Sequence, residues 1–305
     1  MELHSHLYAN DTQIYGSCAP DVAPAFQQHI STCVVRTLEW MQANRLQLHA
    51  DKTEQLWCVP PRQQEYLPNL IGSDMIQLAR CVRYLGIYID SELSMKSHVS
   101  NVVSNCFAAL RRLRSIRGLV SWPVLLSLVT SLIMTRLDYG SATLAVFPIH
   151  LLDRLQCVLN AAVRLVCYAQ KYDHVAHLLR DLHWLWVPER IQFRLAVLVF
   201  RCRNNMAPPY LLRDLQRTDE AESLRRLRSG SPQCLIIPRT RLRTTSDRSF
   251  RVTAARAWNS LPTSVTTATS LASFKRQLKT FLFTKSFLEF QFVYRVLEAL
   301  LLMPR

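Results

Sequence analysis

Asp11 stands in the middle of a stretch with strand-like character, His6-Leu7-Tyr8-Ala9-Asn10-Asp11-Thr12-Gln13-Ile14-Tyr15. Leu7, Tyr8 and Ala9 favour a strand, Asn10-Asp11 a tight turn, and Thr12, Ile14 and Tyr15 a return strand, so the stretch reads as a β-hairpin. A carboxylate at a hairpin tip offers the hard oxygen that a magnesium ion prefers, and a rigid pair would offer more. The neighbour Asn10 is an amide; it ligates a cation weakly and brings no charge. Lys52 is a second candidate for chemistry, though a lysine on a strand edge is most simply a solvated one. Arginines make the third set. Arg111, Arg112, Arg114 and Arg117 cluster at the end of a predicted helix, where cations suit the helix dipole and equally suit phosphate. Arg225, Arg226, Arg228, Arg239, Arg241 and Arg243 sit among Ser, Thr, Gly and Pro in a predicted loop, either solvated or a phosphate footprint.

The elements that must position these residues follow from the pattern. The chain has 305 residues and is 49% hydrophobic, which is enough for one large or two modest domains and excludes a disordered chain by composition. Its net charge of +15 is uneven: residues 1–90 hold 6 Lys/Arg against 9 Asp/Glu, and residues 91–305 hold 31 against 13. That asymmetry points to an anionic partner for the second part, nucleic acid before membrane. Helices are expected over about 21–46, from 94 through Ile116, from Pro123 to about Leu137, from Leu151 to Cys167 and from Pro188 to Asn204. In the first, Phe26, Ile30, Cys33, Val34, Thr37, Leu38 and Met41 fall at helical spacing. Residues 81–90, Cys-Val-Arg-Tyr-Leu-Gly-Ile-Tyr-Ile-Asp, alternate as a strand. Gly118 to Thr135 is an uncharged run, but Pro123 and its five hydroxyls favour a buried helix over a membrane span. The 9 cysteines form no C-x-x-C pair and read as reduced thiols of an intracellular protein. His174 and His177 are spaced for a metal on a helix, but no Cys or carboxylate completes a set.

Four segments, in order, carry a family resemblance. Tyr8-Ala9-Asn10-Asp11 resembles the Tyr-Ala-Asp-Asp box of reverse transcriptases, with Asn10 in place of the first aspartate. The second segment is Trp40-Met41-Gln42-Ala43-Asn44-Arg45-Leu46-Gln47-Leu48-His49-Ala50-Asp51-Lys52-Thr53-Glu54. It resembles the Trp-Met-x-x-Asn-x-Leu-x-Leu-Asn-x-x-Lys-Thr-Glu pattern of LINE-type (non-LTR) retrotransposon reverse transcriptases, with His49 at an Asn position. Tyr84-Leu85-Gly86 with Asp90 resembles the element that holds the primer strand. Leu155-Gln156, Asn160-Ala161-Ala162 and Arg164-Leu165-Val166 resemble the first thumb helix. Farther on, Trp258-Asn259-Ser260-Leu261-Pro262 and Phe274-Lys275-x-x-Leu278-Lys279 resemble the tail of jockey- and chicken-repeat-like elements.

The resemblance implies an α+β fold. Residues 1–93 would be a partial polymerase palm of a few antiparallel strands plus a helix. An all-α thumb would span 94–215, a basic linker 216–248, and a basic helical C-terminal region 249–305, its last helix from Phe287 being an addition to the family pattern. It implies RNA or an RNA–DNA hybrid as partner, no membrane, and Mg2+ as cofactor. It places Lys52 near the incoming nucleotide's phosphates, Gly86 against the primer backbone and Asp11 on the metal. Two-metal catalysis in the family uses one earlier palm aspartate and the hairpin pair. The earlier aspartate would precede Met1, and Asn10 is neutral, so the expectation is a catalytically inactive fragment. The alternatives are a residual, sequence-tolerant binder of RNA or hybrid, and a translated transposon relic that folds poorly.

Overall fold

Alternating apolar residues close three short hairpins, and helical stripes build the rest. The computed structural model describes residues 2–9, 11–49, 52–58, 69–71, 74–76, 78–215, 234–240 and 246–301. Side chains at 69–71, 74–75 and beyond Phe287 are outside that description. The elements are β1 (Leu3–Tyr8), β2 (Asp11–Gly16), α1 (Ala23–Ala43), β3 (Asn69–Ile71), β4 (Asp74–Ile76), β5 (Cys81–Tyr84) and β6 (Ile87–Asp90). Then come α2 (Lys96–Ile116), α3 (Trp122–Val129), α4 (Thr135–Asp138), α5 (Ile149–Val166), α6 (Val175–Asp181) and α7 (Val187–Arg203). The last are α8 (Pro209–Arg213), α9 (Phe250–Asn259), α10 (Thr263–Thr266) and α11 (Leu271–Leu301). Among the described residues the fold is mostly helical with three two-stranded antiparallel sheets, an α+β composition. No helix of the described residues is long and apolar enough to cross a membrane.

The chain divides into two compact units, Met1–Ser97 and His98–Arg305. In the first, β1 and β2 pair from Leu3↔Gly16 to Tyr8↔Asp11. Asp11, expected in the turn with Asn10, instead pairs with Tyr8 and opens β2. Ala9 turns the chain with a left-handed φ of 51°. Residues 81–90 are likewise not one strand. Tyr84 pairs with Ile87, and Leu85 and Gly86 between them have φ of 46° and 81°. Two left-handed residues in a two-residue loop match the right-handed strand twist, so β5 and β6 fold into a tight hairpin. Gly86 serves its turn because it has no Cβ to strain there.

The first unit has a thin core. The stripe Ile30, Cys33, Val34, Thr37, Leu38 and Met41 is the inward face of α1 as expected, yet each is only half-buried. Of the 21 residues of α1, only Ala23 and Phe26 are fully buried. Phe26 meets Trp57 edge-on at 6.2 Å, and a side chain at Gly16 would strike its ring at 2.8 Å. His6 Nδ1 and the Tyr84 hydroxyl share a hydrogen bond of 2.8 Å, tying the first hairpin to the last. Asp90 accepts from the Ser94 backbone N–H at 2.6 Å and from its hydroxyl at 3.0 Å, which shapes the turn before α2.

The second unit holds the main core. The helix from Trp122 to Asp138 is continuous apart from a π turn at Thr130–Met134, closed by Thr135 N–H on the Thr130 carbonyl. Its far end is fixed by a partly buried clamp. Arg190 donates to both Asp138 oxygens at 3.0 and 2.7 Å, and Arg194 adds a contact at 2.8 Å. Helices α9 and α11 share a core with α7. Phe200 of α7 stacks on Phe274 of α11 at 4.4 Å, and Trp258 of α9 stacks on the same ring at 5.7 Å. Trp258 and Leu261 are buried and anchor the tail, and Arg203 lies over the Trp258 ring at 4.8 Å.

Glycine is scarce, at 6 residues, and the helix ends show it. Four helices stop in the same way: Leu46 N–H reaches Met41, Ala169 reaches Arg164, Trp184 reaches Leu179 and Met206 reaches Arg201, at 2.8 to 3.0 Å. This is the 6→1 bond of a Schellman end, whose left-handed residue is usually glycine. Here that residue is Arg45 (φ 59°), Tyr168 (55°), His183 (55°) or Asn205 (54°).

Candidate nucleic-acid interface

At the first hairpin, Asp11 is exposed at the head of β2. Asn10 lies outside the described residues. Among the described residues no three His, Cys, Asp or Glu side chains come together as a metal cage. Two-metal chemistry needs bridging carboxylates to neutralise two divalent ions. The hairpin offers one exposed carboxylate, Asp11, and the amide Asn10 beside it in sequence brings no charge. Lys52 is also exposed; its backbone N–H bonds the His49 carbonyl at 3.2 Å. Gly86 sits in the β5–β6 turn already described. His174 directly precedes α6 and His177 lies on it, both exposed.

The arginines at the end of α2 behave differently from one another. Arg111, Arg112 and Arg114 are exposed and form no ion pair among the described residues. Arg111, Arg114 and Arg117 recur every three residues, so they follow one face of the helix and the single turn that continues it. Arg117 has a partner in the fold: its guanidinium lies over the Tyr168 ring at 4.4 Å, and the Tyr168 hydroxyl donates to its carbonyl at 3.3 Å. The fold thus joins the ends of α2 and α5. Of the second arginine set, Arg239 is exposed. Arg225, Arg226, Arg228, Arg241 and Arg243 lie outside the described residues.

The segments that resemble the thumb helix hold packing roles. Gln156 accepts the Val187 N–H at 2.9 Å, satisfying the first free donor of α7, and its amide is steered by Asn160 at 2.8 Å. Arg164 donates to the Asp173 carbonyl at 3.1 Å, which folds the loop after α5 back on the helix. Asn259 pins the segment around Leu235 by two reciprocal backbone bonds of 2.9 and 2.8 Å.

Two residues of this surface went unmarked in the sequence: Tyr168, 51% exposed, and Tyr172, 86% exposed, with the Lys171 ammonium 5.7 Å from the Tyr172 ring. The signal was present as Tyr168-Ala169-Gln170-Lys171-Tyr172, aromatics interleaved with a base just past a helix. Cys106 and Cys202 are buried thiols. Burial pushes the Cys106 thiol up to about 11, against a smaller opposing pull from Arg136, and burial also raises Cys202. A thiol so raised stays protonated and inert.

Comparison with protein-family models, with curated proteins and with solved structures returns no match.

Proposed function

We propose that this chain is a LINE-type reverse-transcriptase-like segment without polymerase activity, whose helical unit binds RNA or an RNA–DNA hybrid through the phosphate backbone. The observation that carries the binding is the exposed row of arginines on α2 without acidic partners among the described residues. It lies in a unit, residues 98–305, with 30 Lys/Arg against 12 Asp/Glu. Uncompensated arginine on a rigid helix attracts phosphate without reading bases. The loss of catalysis is supported by Asn10, which leaves Asp11 as the only acid of the box.

Fluorescence anisotropy on a labelled RNA–DNA hybrid tests the binding. With three or four phosphates neutralised, a fourfold rise in salt weakens affinity roughly 40- to 150-fold. Affinity that ignores salt would refute a phosphate grip. A primer-extension assay with dNTPs and magnesium tests the chemistry. No product is expected; template-dependent extension that disappears in Asp11→Ala would overturn the inactive reading.

A further inference from the structure

The junction of α2 and α5 holds more than charge. Arg111 and Arg114 rise toward Arg117 in steps of about 4.5 Å along the helix. Arg117 covers the Tyr168 ring, which is still half exposed. Four residues on, Tyr172 is almost fully exposed. The acid of that loop, Asp173, is already engaged by the Gln170 N–H at 2.6 Å. Tyr168 also occupies the left-handed helix end where glycine is cheapest, so its ring is kept at a cost in backbone strain.

We propose that this junction is a stacking platform for unpaired nucleotides of a single-stranded nucleic acid. Bases lie on the Tyr168 and Tyr172 rings, and phosphates meet Arg111, Arg114 and Lys171. Aromatic faces beside a basic track are the means by which proteins hold single strands without reading sequence, because every base has a π face. A blunt duplex hides those faces. The inference rests on the nucleic-acid reading above and goes beyond it in naming the strand state.

The test uses the full chain and four probes: oligouridine, oligothymidine, an abasic strand of the same length, and a blunt RNA–DNA hybrid. One variant combines Tyr168→Gly with Tyr172→Ser; the glycine suits the left-handed backbone, so the helix end is kept. A second combines Arg111→Gln with Arg114→Gln. The tyrosine variant is expected to lose about tenfold or more on the two base-bearing strands and nothing on the abasic strand or the hybrid. The arginine variant is expected to weaken all four and to flatten the salt dependence. If the tyrosine variant holds both single strands as tightly as wild type, the platform is overturned while the backbone reading stands. If wild-type protein, folded by circular dichroism, binds none of the four, both are overturned.

Discussion

His98 is 2% exposed near the start of α2, and its Nδ1 has no hydrogen-bond partner. Burial without a partner disfavours the charged ring, so its pKa is held below the usual 6.5. The unfolded chain therefore takes up a proton first as pH falls through about 6.5. Stability is fully present above that value and declines below it, with a slope of at most about 1.4 kcal/mol per pH unit for one site. Urea unfolding at pH 7 and pH 5 is expected to show a smaller drop in His98→Leu than in wild type. Equal drops would mean that the ring is solvated or paired. The same scale separates carboxylates. Asp11, the candidate for chemistry, is exposed, whereas Asp90 and Asp138 are taken up in turn and helix contacts that spacing along the chain does not reveal.

At the scale of elements, helix placement followed periodicity closely. The expected 151–167 is Ile149–Val166 and the expected 188–204 is Val187–Arg203, because a one-sided apolar stripe fits only one backbone period. The turns did not follow as well. Leu85-Gly86 was masked by an alternation that runs through both arms of its hairpin. The helix ends were hidden for another reason: the usual glycine signal is missing at Arg45, Tyr168, His183 and Asn205. A bulky residue held left-handed costs about 1 kcal/mol or more. Arg45 is exposed, so Arg45→Gly relieves that strain while losing little else. Allowing for the extra freedom of glycine in the unfolded chain, a net gain of about 0.5 kcal/mol is expected in chemical denaturation. A loss would show that α1 does not end in this left-handed turn.

For the molecule as a whole, the two units differ in how well they cover apolar surface. The second surrounds Trp258, Phe274, Leu278 and Leu282 completely. The first leaves Leu7, Tyr8 and Trp40 more than 60% exposed, and β1 and β2 pair only with each other among the described residues. A short hairpin with apolar tips and free edges invites strand pairing between molecules. Leu7→Lys places a charge on that edge and is expected to raise the concentration at which the protein stays monomeric by light scattering, with an unchanged circular dichroism spectrum. Aggregation at the same concentration would exonerate the hairpin.

The sequence by itself determined the helices, the inward face of α1, the acidic-to-basic shift and the neutral Asn10, because local period, composition and side-chain charge are properties of the chain alone. Tertiary structure decided the rest. It joined residues far apart in sequence, making Arg117 and Tyr168 one surface, Arg190 and Asp138 one clamp, and the tail and α7 one core. Such pairings depend on which buried faces find each other, and no spacing along a single chain encodes that choice.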